Sequence, residues 1–191
     1  MKGLLLAALA VMATMSFAGG FSLGFKEVEL PIMVSDEDAY MGDMTMLRLG
    51  SSLSPEFRVE VLLGYDKQSF SVDDSDYSAS SFGIGGSAFY VIARPTYSVF
   101  SIGGSLVYGS TSTDYDGDDG PKTTDLSIFP VMRVDFSIPS LERVAFFSEF
   151  GARYDDAKTT LEQSGEDLEW DYSRFGTFSS PHILGGVYYS F

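Results

Sequence analysis

Asp114, Asp116 and Asp118 stand at alternate positions of Asp114-Tyr115-Asp116-Gly117-Asp118-Asp119-Gly120, and Asp125 takes the twelfth place counted from Asp114. Ca²⁺ is a hard cation that gathers about six to eight oxygen ligands, which a tight acidic loop can supply. The match to a calcium loop is incomplete. Asp119 stands where a glycine would make the sharp turn, and Asp125 is shorter than the bidentate Glu that closes such loops. Asp114, Asp116, Asp118 and Asp125 are therefore expected either to hold Ca²⁺ or to form a solvated acidic hairpin tip. His182 is the only histidine, with Ser179 and Ser180 just before it. A Ser–His hydrolase also needs a carboxylate oriented toward the imidazole. Gly83-Ile84-Gly85-Gly86 and Gly103-Gly104 lie inside strand-like segments with no helix to follow, so they do not read as phosphate loops. No catalytic residue, no cofactor and no enzyme activity are expected.

Composition narrows the classes further. The 191 residues carry 12 Lys+Arg against 27 Asp+Glu, a formal net charge of −15, and no cysteine. Disulfides, thiolate metal sites and a cysteine nucleophile are excluded. Such acidity gives no surface able to neutralise a run of phosphates, so nucleic acid is not an expected partner. Apolar residues make up 45% of the chain, too many for general disorder.

Residues 1–18, MKGLLLAALAVMATMSFA, have the form of an export signal: Lys2, a short apolar run from Leu4 to Met12, and Ser16-Phe17-Ala18 before a cut ahead of Gly19. The expected mature chain, residues 19–191, loses Lys2 and carries −16. After Gly19 the dominant period is two, the period of strands. Eight segments are predicted as strands: 20–30, 43–53, 57–72, 79–92, 97–112, 123–138, 144–159 and 173–191. Three connections are tight (54–56, 93–96 and 139–143), and four are longer or strongly acidic (31–42, 73–78, 113–122 and 160–172). They alternate long and short along the chain, as an up-and-down antiparallel barrel with its long loops at one end requires. Of the 27 acids, 16 fall in or beside those four long connections.

Alternation within segments separates two faces. In 123–138 one face carries Leu126, Ile128, Pro130, Met132, Val134, Phe136 and Ile138; the other carries Asp125, Ser127, Phe129, Val131, Arg133, Asp135 and Ser137. In 144–159, Phe147, Glu149, Gly151, Arg153 and Asp155 share a face. A soluble sandwich would turn the apolar faces together, whereas a membrane barrel would turn them to lipid. The strands run well past the ~5–6 residues usual in soluble sheets. Aromatics gather near their ends: Phe57 and Tyr65, Tyr90, Tyr97 and Tyr108, Phe136, Phe146 and Tyr154, Tyr189 and Phe191. Both features favour the membrane. In a barrel this narrow, Lys26, Arg48, Arg58, Arg133 and Arg153 would then face Glu60, Asp66, Asp135 and Glu149 across the lumen and must pair. The same pattern puts His182 on the inner face.

The final segment, Gly186-Val187-Tyr188-Tyr189-Ser190-Phe191, resembles the C-terminal assembly signal of bacterial outer-membrane β-barrel proteins, with Gly186, Tyr189 and Phe191 carrying the likeness. A polar residue often precedes that glycine by two places, where this chain has Leu184. Together with the export signal and eight alternating strands, the chain resembles the small barrels of the OmpX, OmpW and OmpA-barrel type. The resemblance implies an all-β, eight-stranded antiparallel up-and-down transmembrane β-barrel in the outer membrane of a Gram-negative bacterium. It implies a monomer whose partners are outer-membrane lipids and lipopolysaccharide and, during assembly, the barrel-assembly machinery. The expected role is envelope-structural, or surface interaction through acidic extracellular loops. A narrow pore or transporter for small solutes or ions is the alternative, and a secreted barrel with a hydrophobic ligand is a third.

Overall fold

The computed structural model describes residues 20–33, 39–72, 75–115, 118–163, 166–177 and 184–191. The export signal, the Ca²⁺ candidate Asp116, and Ser179, Ser180 and His182 lie outside these. The strands are β1 (Phe21–Met33), β2 (Ala39–Ser52), β3 (Phe57–Val72), β4 (Ser75–Ala93), β5 (Ser98–Tyr115), β6 (Asp118–Ile138), β7 (Leu141–Gln163), β8 (Glu166–Thr177) and β9 (Leu184–Ser190). Each neighbouring pair is antiparallel. β6 pairs with β7 and β9 with β1, so the sheet closes on itself.

β8 and β9 together form the eighth wall strand. Both pair with β7: Thr177 lies opposite Ala152, and Leu184 opposite Glu149. Seven steps of the terminal segment therefore match three of β7, an excess of four residues. Because that excess is even, Gly176 and Tyr188 both keep the inward face. The predicted strand 173–191 is thus divided, and its first part begins earlier, at Glu166.

Closure is sheared. A row of paired residues starting at Gly24 passes through Arg48, Leu62, Gly85, Val107, Ser127 and Asp155 to Arg174. Gly24 itself closes on Tyr188, fourteen positions from Arg174. Subtracting the four-residue excess leaves a shear of ten, which tilts eight strands by roughly 40°. Residues on one row thus climb steadily toward the long-hairpin end, which separates Arg48 from Asp155 in height although they share a row.

Large apolar side chains cover the outside in a band. All ten aromatics singled out at strand ends are exposed, among them Phe57 and Tyr65 on β3 and Phe146 and Tyr154 on β7. Eight residues separate the two members of each pair, which is ~26 Å of strand and roughly 20 Å of height after tilt, close to the apolar belt of a spanning barrel. An apolar band around the whole circumference cannot stand in water; it faces hydrocarbon. Beyond the belt the segments predicted as long loops are mostly strand. β7 and β8 pair as far as Gln163–Glu166, and β5 and β6 as far as Tyr115–Asp118. At the opposite end the turns are tight: Ser54 Oγ accepts from the backbone N–H groups of Glu56 and Phe57 to close the first one.

Candidate functional site

The lumen is filled in three layers. The layer nearest the tight turns is charged. Arg133 on β6 is its centre: Nη1 lies 2.6 Å from Glu60 Oε1 on β3 and 3.4 Å from Glu149 Oε1 on β7, while Nε and Nη2 donate to Asp135 Oδ1 at 3.0 and 2.8 Å. Arg48 on β2 donates to the same Glu60 oxygen at 2.5 and 2.7 Å and to Ser22 at 3.1 Å. Arg58 reaches the second Asp135 oxygen at 3.0 Å, and Lys26 on β1 meets Glu149 at 2.6 Å and Ser105 at 3.3 Å. Every member is buried except Arg58, which is 17% exposed. This layer holds four cations (Lys26, Arg48, Arg58, Arg133) and three anions (Glu60, Asp135, Glu149). The spare positive charge is a property of the described residues that no strand reading shows.

Aromatic shelves support the guanidinium planes. The Arg133 Cζ lies 3.9 Å from the Phe147 ring centre and 5.0 Å from that of Phe89, and Arg48 lies 4.2 Å from Tyr188. Cation–π attraction is strongest where water is excluded, as it is here. Glycines on neighbouring strands make room for the rings. A Cβ on Gly186 would overlap the Phe25 carbonyl oxygen and sit 2.6 Å from Phe147 Cζ, and one on Gly103 would overlap the Ala88 carbonyl oxygen and sit 2.8 Å from Phe89 Cδ1. Gly186, singled out as part of the terminal signal, thus also seats a ring of the lumen.

The middle layer is apolar. Val28, Met44, Met46, Leu62, Phe89, Val107, Phe129 and Val131 form one buried cluster, contributed by β1, β2, β3, β4, β5 and β6. Met44 and Met46 bend into the space left by Gly64 and Gly83, where an added Cβ would lie 2.5 Å and 3.0 Å from Met44 Sδ. Unbranched thioethers suit such an irregular gap.

The third layer, toward the long hairpins, is polar. Arg153 donates to Asp155, and Ser127 lies 2.6 Å from Asp125 and 2.7 Å from Asp155. Above it runs a hydroxyl row: Ser81 with Thr111 at 3.1 Å, and Thr123 with Thr159 at 2.9 Å. Cross-strand hydroxyl pairs of this kind hold a ladder together beyond the belt. Outside, Lys158 and Glu169 pair at 2.9 Å across the last hairpin, and the carboxylate raises the lysine pKa above its ordinary value.

The charged residues read from the sequence fall as follows. Lys26, Arg48, Arg58, Glu60, Arg133, Asp135 and Glu149 meet in the first layer, and Arg153 stands in the third. Asp66 stays apart, half-buried, accepting from Gln68 at 2.9 Å. Among the Ca²⁺ candidates, Asp114 is exposed near the end of β5 and bonded by Ser78. Asp118 pairs in register with Tyr115 at the hairpin end. Asp125 is buried in the lumen, seven residues further along β6 than Asp118, or ~23 Å of strand. Among the described residues no group of three or more acids and histidines converges on a metal position. Asp155 was on the charged face of its strand yet absent from the expected network; its role depends on the climb of the rows, which alternation does not reveal.

Comparison with solved structures places this architecture. Neisserial surface protein A aligns with 90% of the chain and 97% of its own, at a TM-score of 0.55 and 17% identity. A major outer membrane protein from Thermus thermophilus aligns over 90% and 98% (TM-score 0.50, 12% identity), and Ail, the attachment invasion locus protein of Yersinia pestis, over 91% and 99% (0.50, 11%). The chain has the fold of the small eight-stranded outer-membrane barrels. No protein-family description and no curated protein sequence matches it. At these identities the likeness concerns the fold, and the lumen and hairpins described above are read from this chain's own residues.

Proposed function

We propose that the protein is a non-enzymatic, integral outer-membrane barrel that is closed to solutes and holds long acidic β-hairpins outside the cell. The apolar middle layer carries this reading. Eight side chains, each no more than 5% exposed, fill the bore between two polar layers. An eight-stranded barrel is only wide enough for such packing, and an ion entering it would lose its hydration with nothing to replace it. The tight-turn end is periplasmic and the hairpins extracellular, the usual asymmetry of such barrels. The belt makes outer-membrane lipid the surrounding partner, with lipopolysaccharide around the outward half. The terminal strand that closes on β1 supports recognition by the barrel-assembly machinery. Acids concentrated on the hairpins, Asp114, Glu169 and Asp171 among them, suit cationic surface partners. A single closed bore needs no second copy, consistent with a monomer.

Planar-bilayer recording tests the proposal. The folded barrel should insert without unitary conductance in molar KCl. Stable unitary openings would transfer the reading to a pore.

A further inference from the structure

The spare cation of the first layer lies beside an open space. At the periplasmic mouth a partly enclosed pocket of about 100 Å³ is lined by Arg48, Arg58, Ser22, Ser52, Tyr188 and Ser190, among other residues. Its lining includes several hydroxyls and two guanidinium groups, and among the described residues no carboxylate side chain lines it. Arg58 is the cation of its layer that reaches solvent. Its Nη1 is held by Asp135, yet its Nε–H is buried with no acceptor among the described residues. A buried donor left without an acceptor costs about 1–3 kcal/mol, more when it is charged. Asp135 cannot neutralise Arg58 alone, because its other oxygen already takes two bonds from Arg133. The pocket therefore brings two guanidinium groups, several hydroxyls and room together at one place; the buried Nε–H would reach an anion there only through a shift of the Arg58 side chain.

We propose that this mouth binds a small tetrahedral oxyanion of the phosphate class from the periplasmic side. Arg58 supplies the charge-assisted contact, and the hydroxyls of Ser22, Ser52 and Ser190 supply further donors. One negative charge on the anion offsets the spare cation of the layer, so binding also stabilises the fold. The ligand is either free inorganic phosphate or the phosphate of a lipid headgroup, whose acyl chains would leave through the mouth.

Isothermal titration of the folded, full-length mature barrel in a nonionic micelle tests this, with inorganic phosphate as probe at ionic strength held constant with chloride. The expected result is saturable binding that weakens about tenfold or more in Arg58→Gln. Ser52→Asp tethers a carboxylate beside Arg58, leaves the buried pairs intact and should remove binding as well; it covers the case in which Arg58→Gln does not fold. Heat-modifiable gel mobility establishes that each variant is folded. Competition with dihexanoyl phosphatidic acid identifies the source: displacement of phosphate by the lipid at lower concentration assigns a headgroup, and no displacement assigns the free ion. Absence of saturable binding by the wild-type barrel to both probes, or equal binding by a folded Ser52→Asp variant, overturns the proposal.

Discussion

Replacing Glu60 with Gln removes one carboxylate from a layer that already has four cations and three anions. Glu60 Oε1 accepts from Arg48 at 2.5 Å and from Arg133 at 2.6 Å, so two buried guanidinium groups lose their shared counter-charge. Breaking a buried pair in this way costs about 3–5 kcal/mol. Arg133→Met is the opposite case. Arg133 touches all three carboxylates, which would make it the most valuable residue of the lumen if pairings alone decided. Without it, however, each carboxylate keeps a cation: Glu60 keeps Arg48, Asp135 keeps Arg58, and Glu149 keeps Lys26. The layer becomes neutral, and a thioether can fill the slot between Phe147 and Phe89. Removing one member of a buried pair ordinarily costs about 3–5 kcal/mol because it strands a charge; here every carboxylate keeps a cation, so the cost is expected to fall below that range. Urea unfolding in phospholipid vesicles, followed by far-UV circular dichroism and gel mobility with m-values compared, measures both. If Arg133→Met proved as costly as Glu60→Gln, charge balance would not be what governs this layer.

Other consequences follow from the two remaining layers and the ring seats. Gly186→Val drives a side chain into the Phe25 carbonyl and the Phe147 ring and should cost about 3 kcal/mol or more, read as a lower urea midpoint and a smaller heat-modifiable fraction. Met44→Ser with Met46→Ser makes the middle layer polar, and the double variant should leak small ions from vesicles that the wild-type barrel keeps sealed. In the third layer the single hydroxyl proton of Ser127 cannot serve both carboxylates. Asp125→Asn, which can donate to Ser127, should therefore leave the unfolding midpoint unchanged or raised. Asp155→Asn removes the carboxylate that pairs with Arg153 and should lower the midpoint; equal effects of the two substitutions would contradict the assignment.

The wall of the barrel was legible because period-two alternation is a local property. Leu126 to Ile138 and Phe57 to Tyr65 state their faces residue by residue, and the aromatics mark the belt at both ends. The split of the last strand was not legible, since a four-residue excess preserves parity and leaves no trace in the pattern. The hairpin extensions around 113–122 and 160–172 read as loops because their Asp, Glu and Gly residues are poor strand formers; the adjoining ladder holds them extended. In the lumen, alternation named most of the charged residues but not their layers. Which residues share a height depends on the shear. That is why Met44 and Met46 gave no sign of being the plug, and why Asp125 could be read both on the inner face of its strand and as the last position of an acidic loop.

Oxidation of methionine reads the sealed bore most directly. The chain has 8 methionines, and Met44 and Met46 occupy the middle layer. Barrels in vesicles would be treated with hydrogen peroxide and each methionine quantified by mass spectrometry, with the urea-unfolded chain as reference. A sealed lumen predicts that Met44 and Met46 form sulfoxide about tenfold or more slowly than in the unfolded chain. Oxidation of both at the unfolded rate, in a barrel that still shows heat-modifiable mobility, would mean that water reaches the middle of the bore and would contradict the account.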